Sequence, residues 1–186
     1  MKVVGIVGSP RKNGNVDTLV KAALDGAKEA GMETEIFHLA EMQLQGCVAC
    51  GRCKKEGICK FDDDVWKVLT AMRDADAVVL GAPIYYFQLN SQTRVLLDRS
   101  FAFLRPDFST RWTPGKKLIL ITSQGTPDAA AFAGVHKELT TIFQHMGGFK
   151  IIGDITMTGG NAPDAIKARP ELVAAAKDAG AKLAHK

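Results

Sequence analysis

Short strand-like runs alternate along the chain with segments whose apolar positions return every three or four residues. The first run, "KVVGIVG", leads through Ser, Pro, Gly and Asn into Leu19, Val20, Ala23, Leu24 and Ala27, a pattern that predicts strand, turn and helix. "ETEIFHL" predicts a second strand. "DDDVWKVLTAMRDA" opens on Asp residues suited to capping and places Val65, Val68, Leu69 and Met72 on one helix face. "DAVVLGAP" predicts a third strand, "QTRVLLDRSFAFL" a helix, "KKLILITS" a fourth strand, "FAGVHKELTTIFQHM" a helix and "FKIIGDITM" a fifth strand. "PELVAAAKDAGAKLA" predicts a closing helix that starts at Pro170, where the missing N–H would have no partner anyway.

Unbroken apolar strands alternating with amphipathic helices imply a parallel sheet covered on both faces, a doubly wound α/β architecture. Residues 1–186 read as one domain, without internal repeat, low-complexity tract or linker. The longest irregular stretches are residues 40–62 and "RPDFSTRWTPG", and loops of that length in a compact fold tend to carry function.

Composition narrows the classes. A chain of 186 residues with 46% hydrophobic residues buries roughly 70% of the surface that its unfolded form exposes, so it needs neither metal nor disulfides merely to stay folded. Its four cysteines therefore read as functional. The net charge of +4 is too small to imply nucleic acid, and no stripe of Lys and Arg interleaved with aromatics is present. "MKVVGIVGSPRKNG" lacks the long apolar core of a secretory signal, and no stretch approaches the ~20 apolar residues of a membrane span. The expectation is a cytoplasmic protein with reduced thiols, which makes structural disulfides the weakest reading of the cysteines.

In a doubly wound sheet, ligands bind beyond the carboxyl ends of the strands. The segment after the first strand, "GSPRKNGNVDTL", is neither a Walker loop nor a G-x-G-x-x-G turn. It offers Ser9, Arg11, Asn13, Asn15 and Thr18 at the start of a helix, a combination suited to a phosphate dianion, against the plainer reading of a polar capping turn. After the third strand, "GAPIYYFQLNSQ" places Pro83, Ile84, Tyr85, Tyr86 and Phe87 in a loop, an apolar surface on which a flat ring system would fit. Phe87 suits the core or a subunit contact equally well. After the fourth strand, Ser123, Gln124, Gly125 and Thr126 could reach the polar edge of the same ring. The four histidines fall outside these loops and read as core, helix-surface or tail residues.

Together, "GSPRKNGN", "GAPIYYFQLNSQ" and "TSQGTP" resemble the flavodoxin-like NAD(P)H-dependent FMN reductases over about residues 1 to 155. The spacing C-x2-C-x2-C-x5-C, after the second strand and before "DDD", is similar to that of the iron-sulfur flavoproteins within that superfamily. The resemblance implies a five-stranded parallel sheet in the order 2-1-3-4-5. It implies FMN phosphate on Ser9, Arg11, Asn13 and Asn15, the isoalloxazine against residues 83–87, and Ser123 to Thr126 flanking it. Val16 departs from the pattern, standing where many members carry Ser or Thr, with Thr18 as the substitute hydroxyl.

Cys47, Cys50, Cys53 and Cys59 are all the cysteines of the chain. Three at successive two-residue intervals let one loop wrap three corners of a cube, and the fourth can close it, which suits one [4Fe-4S] cluster. Zinc and metal-free redox-active thiols remain as alternatives. Arg52, Lys54, Lys55 and Lys60 are expected to surround the cluster and raise its potential, with Gly46, Gly51 and Gly57 letting the backbone aim N–H groups at the sulfurs. The expected function is an FMN and [4Fe-4S] oxidoreductase relaying electrons between a ferredoxin-like protein or NAD(P)H and a small-molecule acceptor. No side chain is assigned as general acid or base. The competing readings are a cluster-free NAD(P)H-dependent FMN or quinone reductase and a non-enzymatic flavin carrier or zinc-stabilised binding module. A cluster following the edge strand would lie away from its own flavin ring, so a homodimer or tetramer is expected.

Overall fold

The structure, a computed structural model, describes residues 1–185. In chain order its elements are β1 (Lys2–Val7), α1 (Asn15–Glu29), β2 (Glu33–His38), α2 (Arg52–Glu56), α3 (Asp64–Asp74), β3 (Ala77–Tyr85), β4 (Gln88–Leu89), α4 (Ser91–Ser100), β5 (Lys117–Ser123), α5 (Ala133–Thr140), β6 (Lys150–Met157) and α6 (Pro170–Lys182). The sheet runs β2-β1-β3-β5-β6, every pair parallel. The expected order is therefore found, with β5 and β6 as its fourth and fifth strands. No helix among the described residues is long and apolar enough to cross a membrane.

Three local features differ from the sequence reading. β3 runs on to Tyr85 and folds back as a two-residue antiparallel β4, pairing Ile84 with Leu89 and Tyr85 with Gln88. Pro83, Ile84 and Tyr85 are thus strand residues rather than loop. The two turn residues, Tyr86 and Phe87, have φ of 45° and 67°, the left-handed region that hairpins usually fill with Asn-Gly, which is why the hairpin left no signature in the sequence. The helix expected over 92–104 stops at Ser100 and tightens into a 3-10 turn over Phe101–Phe103. The helix expected over 132–146 is α-helical to Thr140 and π-helical over Thr141–Met146.

Alternate strand residues point to opposite faces. Val4, Ile6, Val78, Leu80, Leu118 and Leu120 pack against α3, α4 and α5, where Phe103 stacks on Trp112 at 4.1 Å between ring centroids. Val3, Val7, Val79, Ile119 and Ile121 pack against α1 and α6. Each such side chain, fully buried, contributes about 1.5–3 kcal/mol. The helices α1 and α6 touch backbone to backbone: a Cβ on Gly180 would overlap the Ala23 carbonyl, and one on Gly26 would overlap that of Lys177. Because α1 opens at the carboxyl rim of the sheet, this contact fixes the position of its first turn.

At the same rim, the His136 ring on α5 bridges two strands. Its Nδ1 faces Asp154 Oδ2 at 3.1 Å, and its Nε2 faces the hydroxyls of Thr122 and Thr156 at 3.2 and 3.3 Å. The hydrogen bond to Asp154 raises the His136 pKa above its ordinary value, against the opposing effect of burial.

Gly180→Ala should destabilise the fold by about 1–3 kcal/mol through overpacking, whereas Gly134→Ala, at a position open to solvent, should not; urea midpoints at constant m-value report both. For His136, a raised folded pKa means stabilisation that is complete below the unfolded value near 6.5 and lost as pH rises through the folded one. Unfolding free energy of the wild type should fall over that window, and His136→Gln should flatten the slope.

Candidate functional site

Four loops meet at the carboxyl rim around a cleft of about 100 Å³. The β1–α1 loop contributes Ser9, Arg11, Asn15 and Val16, and the end of β3 contributes Pro83, Ile84 and Tyr85. Ser123, Gln124 and Gly125 follow β5. The fourth wall, Gly160 and Asn161 after β6, was not singled out in the sequence, although "TGGNAP" is a turn signal placed just where a fifth strand ends.

The cleft is held together by hydrogen bonds that redistribute the expected roles. Asn15 Nδ2 donates to the carbonyls of Gly160 at 3.1 Å and Ala162 at 2.8 Å, while its Oδ1 accepts from the Ile166 N–H at 3.0 Å. Its side chain is therefore committed to tying the first loop to the last. Arg11 Nη1 donates to Asn161 O at 2.8 Å, and Ser9 Oγ accepts from the Arg11 N–H at 3.2 Å. The amino end of α1 begins at Gly14 with no side-chain cap, so the N–H groups of its first turn, where Asn15 and Val16 line the cleft, have no intrahelical acceptor. That is the arrangement a phosphate group requires.

Asn13 and Thr18 do not line the cleft. Asn13 Oδ1 takes the Lys21 ammonium at 3.1 Å, and its N–H donates to Asp17 at 2.7 Å, with φ at 53°. Asp17 is buried beneath the loop and also meets Lys21 at 2.9 Å and His38 at 3.1 Å. Burial opposes its charge, but these donors hold the carboxyl below the usual carboxylate range. The Asn13 side chain thus braces the loop from behind. Asn90 fixes it from the other side, its Nδ2 donating to Gly8 O at 2.6 Å while its Oδ1 accepts from Thr93 at 2.7 Å.

Gln124 is 2% exposed, and its Nε2 donates to Asp128 O at 2.6 Å. Its Oε1 is buried and has no donor. An unmade hydrogen bond of this kind costs about 1–3 kcal/mol, which an N–H on the edge of a bound ring would remove. Gly125 and Gly160 keep the walls bare, since a Cβ on either would overlap Asn161 or Ser123 respectively. Thr126 lies outside the cleft and accepts from the Asp128 N–H. Tyr86 and Phe87 also lie outside, at 96% and 72% exposure, with Phe87 edge-on to Phe132.

A second cavity, of about 170 Å³, is lined by all four cysteines. Among the described residues no three His, Cys, Asp or Glu are grouped closely enough to hold a metal ion. α2 forms between two left-handed glycines, Gly51 at φ 72° and Gly57 at φ 77°, while the left-handed bend before it falls on Ala49 at φ 50°, not on Gly46. The Ala49 N–H donates to Cys47 Sγ at 3.4 Å. The expected ring of surface cations is only partly present. Arg52 turns to Glu56 at 2.7 Å. Lys54 donates to the carbonyls of Phe101 and Leu104 at 2.8 and 2.6 Å, pinning α2 to the end of α4, and burial pushes its pKa down.

The cation in contact with sulfur is Arg99 of α4, which the sequence reading did not single out. It is 2% exposed and donates to both Asp63 oxygens, at 2.6 and 2.9 Å, and to Cys59 Sγ at 3.2 Å. Burial opposes both charges, yet the pairing raises the guanidinium pKa and lowers that of the Asp63 carboxyl. Arg99 Nε remains buried without an acceptor. α4 follows Asn90, whose side chain holds the Gly8 carbonyl of the first loop, and its last turn carries Arg99 beside Cys59, so this one helix links the two sites.

Residues 1–164 match the sequence profile of the NADPH-dependent FMN reductases. An iron-sulfur flavoprotein of Methanocaldococcus jannaschii is 36% identical over 165 residues, 89% of this chain and 79% of that protein. An iron-sulfur flavoprotein of Methanosarcina thermophila is 32% identical over 160 residues, 86% of this chain and 81% of that protein. Among solved structures, an FMN-dependent NADH-azoreductase from Bacillus anthracis in complex with FMN shares the fold, with a TM-score of 0.77 over 100% of both chains at 15% identity. With the profile covering most of its length and relatives this similar, the chain belongs to the NADPH-dependent FMN reductase family, a family of flavin-dependent oxidoreductases.

Proposed function

We propose that the protein is an FMN and [4Fe-4S] oxidoreductase that relays electrons between a ferredoxin-like protein or NAD(P)H and a small-molecule acceptor. The observation that carries the cluster is the convergence of Cys47, Cys50, Cys53 and Cys59 from one loop on a single cavity of about 170 Å³. Zinc more commonly takes two C-x2-C pairs separated by a longer span, whereas three cysteines at two-residue intervals with a fourth close behind suit one cube of iron and sulfide. The names of the two archaeal relatives support the same choice.

When bound, the flavin supplies two-electron or one-electron chemistry and the cluster one-electron chemistry. The chain supplies the holding groups. Ser9, Arg11 and the first-turn N–H groups of α1 bind the phosphate, and Asn15 and Asn13 position them. Pro83, Ile84 and Tyr85 present an apolar wall to the ring, and Gln124 Oε1 accepts from its polar edge. Thr126, Tyr86 and Phe87 stand at the lip, where they shield the ring or meet its partner. The cysteine loop follows β2 at the edge of the sheet, whereas the ring wall lies on β3 and β5, which favours a homodimer or larger assembly in which the cluster of one subunit faces the flavin of another.

Anaerobically purified protein should contain about four irons, four sulfides and one FMN per chain, counted chemically. Cys59→Ser should lose iron while retaining FMN. Zinc in place of iron, or no metal with nicotinamide turnover undiminished in Cys-to-Ser variants, would instead assign the cluster-free reductase or the zinc-stabilised binding module. The holoprotein should also scatter light as a dimer or larger; a fully active monomer would refute the intersubunit relay.

A further inference from the structure

Within the family's shared fold, one residue of this chain stands between the cysteine cavity and the protein interior. Arg99 is the only side chain among the described residues that joins both ends of the cysteine loop at once. Its Nη1 donates to Gln45 O at 3.1 Å, two residues before Cys47, and its Nη2 donates to Phe61 O at 3.3 Å, two residues after Cys59. The same Nη2 reaches Cys59 Sγ at 3.2 Å, and the Asp63 carboxylate clamps the fork. Arg99 lines the cavity, and its buried Nε–H has no acceptor in the protein. Buried donors are nearly always paired, and one left over beside four thiols points to an acceptor that belongs in the cavity.

Resting on the cluster reading above, we propose that Arg99 is the positioning and potential-setting residue of the cysteine site: it closes the loop around the cavity and presents a fixed, buried positive charge and an N–H donor to the sulfur of the cluster. One-electron reduction adds a negative charge to the caged group with no proton taken up by Arg99. A neighbouring guanidinium therefore favours the reduced form, and hydrogen bonds to cluster sulfur act in the same direction. Arg99 is better suited to this than Lys54, whose ammonium is turned to two backbone carbonyls, or Arg52, which is paired with Glu56 in the solvent. Asp63 opposes the effect, because its carboxylate partly neutralises the guanidinium.

The two members of the pair thus make opposite predictions. In Arg99→Met, the ratio of reduced to oxidised cluster at a fixed poise should fall about tenfold, which is 59 mV for a one-electron couple. In Asp63→Asn the ratio should rise, and because Asn remains a good N-cap, α3 keeps its start. Arg99→Lys should lie between Arg99→Met and the wild type, keeping the charge and losing the fork. The measurement is an EPR-monitored redox titration of anaerobic holoprotein, with the flavin potential in the same sample as a reference that should not move. Equal potentials in wild type and variants, or shifts of Arg99→Met and Asp63→Asn in the same direction, overturn the proposal. If Arg99→Met does not load, Asp63→Asn and Arg99→Lys decide it. Loss of the cluster from all three folded variants leaves Arg99 only a holding role and also overturns it. Wild-type protein without iron and sulfide fails the cluster reading itself, a result distinct from all of these.

Discussion

A parallel sheet returns its chain beneath itself after every strand, so the carboxyl ends of all five long strands must open on one rim. The remaining structure follows from that constraint. Strand order reverses direction between β1 and β3, where the Gly8 N–H bonds to Gly81 O at 2.7 Å and the crevice begins. A ligand lodged there meets loops from four strands at once, each carrying a different chemistry: a helix start for an anion, an apolar strand end for a ring, and amide groups for a polar edge. The loops are braced chiefly by one another. Asn15 holds the last loop, Asn90 the first, and Asp17 supports the first from below.

The strands and helices were legible because burial on two faces demands long apolar runs, and such runs are hard to mistake. The cleft was legible in outline for the same reason: three of its four walls follow directly from where the strands end. What escaped was the division of labour within it. Asn13 and Asn15 have the right chemistry for a phosphate, but a neighbouring carbonyl, amide or ammonium claims their side chains, and only three-dimensional proximity decides between those partners. The Tyr86–Phe87 turn escaped because it uses aromatic residues where glycine and asparagine would advertise themselves.

The cysteine loop presents the opposite case. Its cysteines announce themselves by spacing, yet the arginine in contact with them lies 40 positions further on, from Cys59 to Arg99, in a helix whose pattern looked ordinary. An arginine on the polar side of an amphipathic helix reads as solvated. Here α4 turns that side toward the loop after β2, and the loop closes over it. Sequence patterns report which face of a helix is apolar, but not whether its polar face is covered by another part of the chain.

The contact between α1 and α6 carries one more implication. The family profile matches residues 1–164, but Ala176, Ala179 and Leu183 belong to the same apolar face as α1, and Gly180 lies directly on Ala23. The reach of the matched profile is therefore not the limit of the packed core. A chain cut at residue 164 would expose the apolar flank of α1 and remove the backbone contact with α6 that fixes its first turn, where Asn15 and Val16 line the cleft.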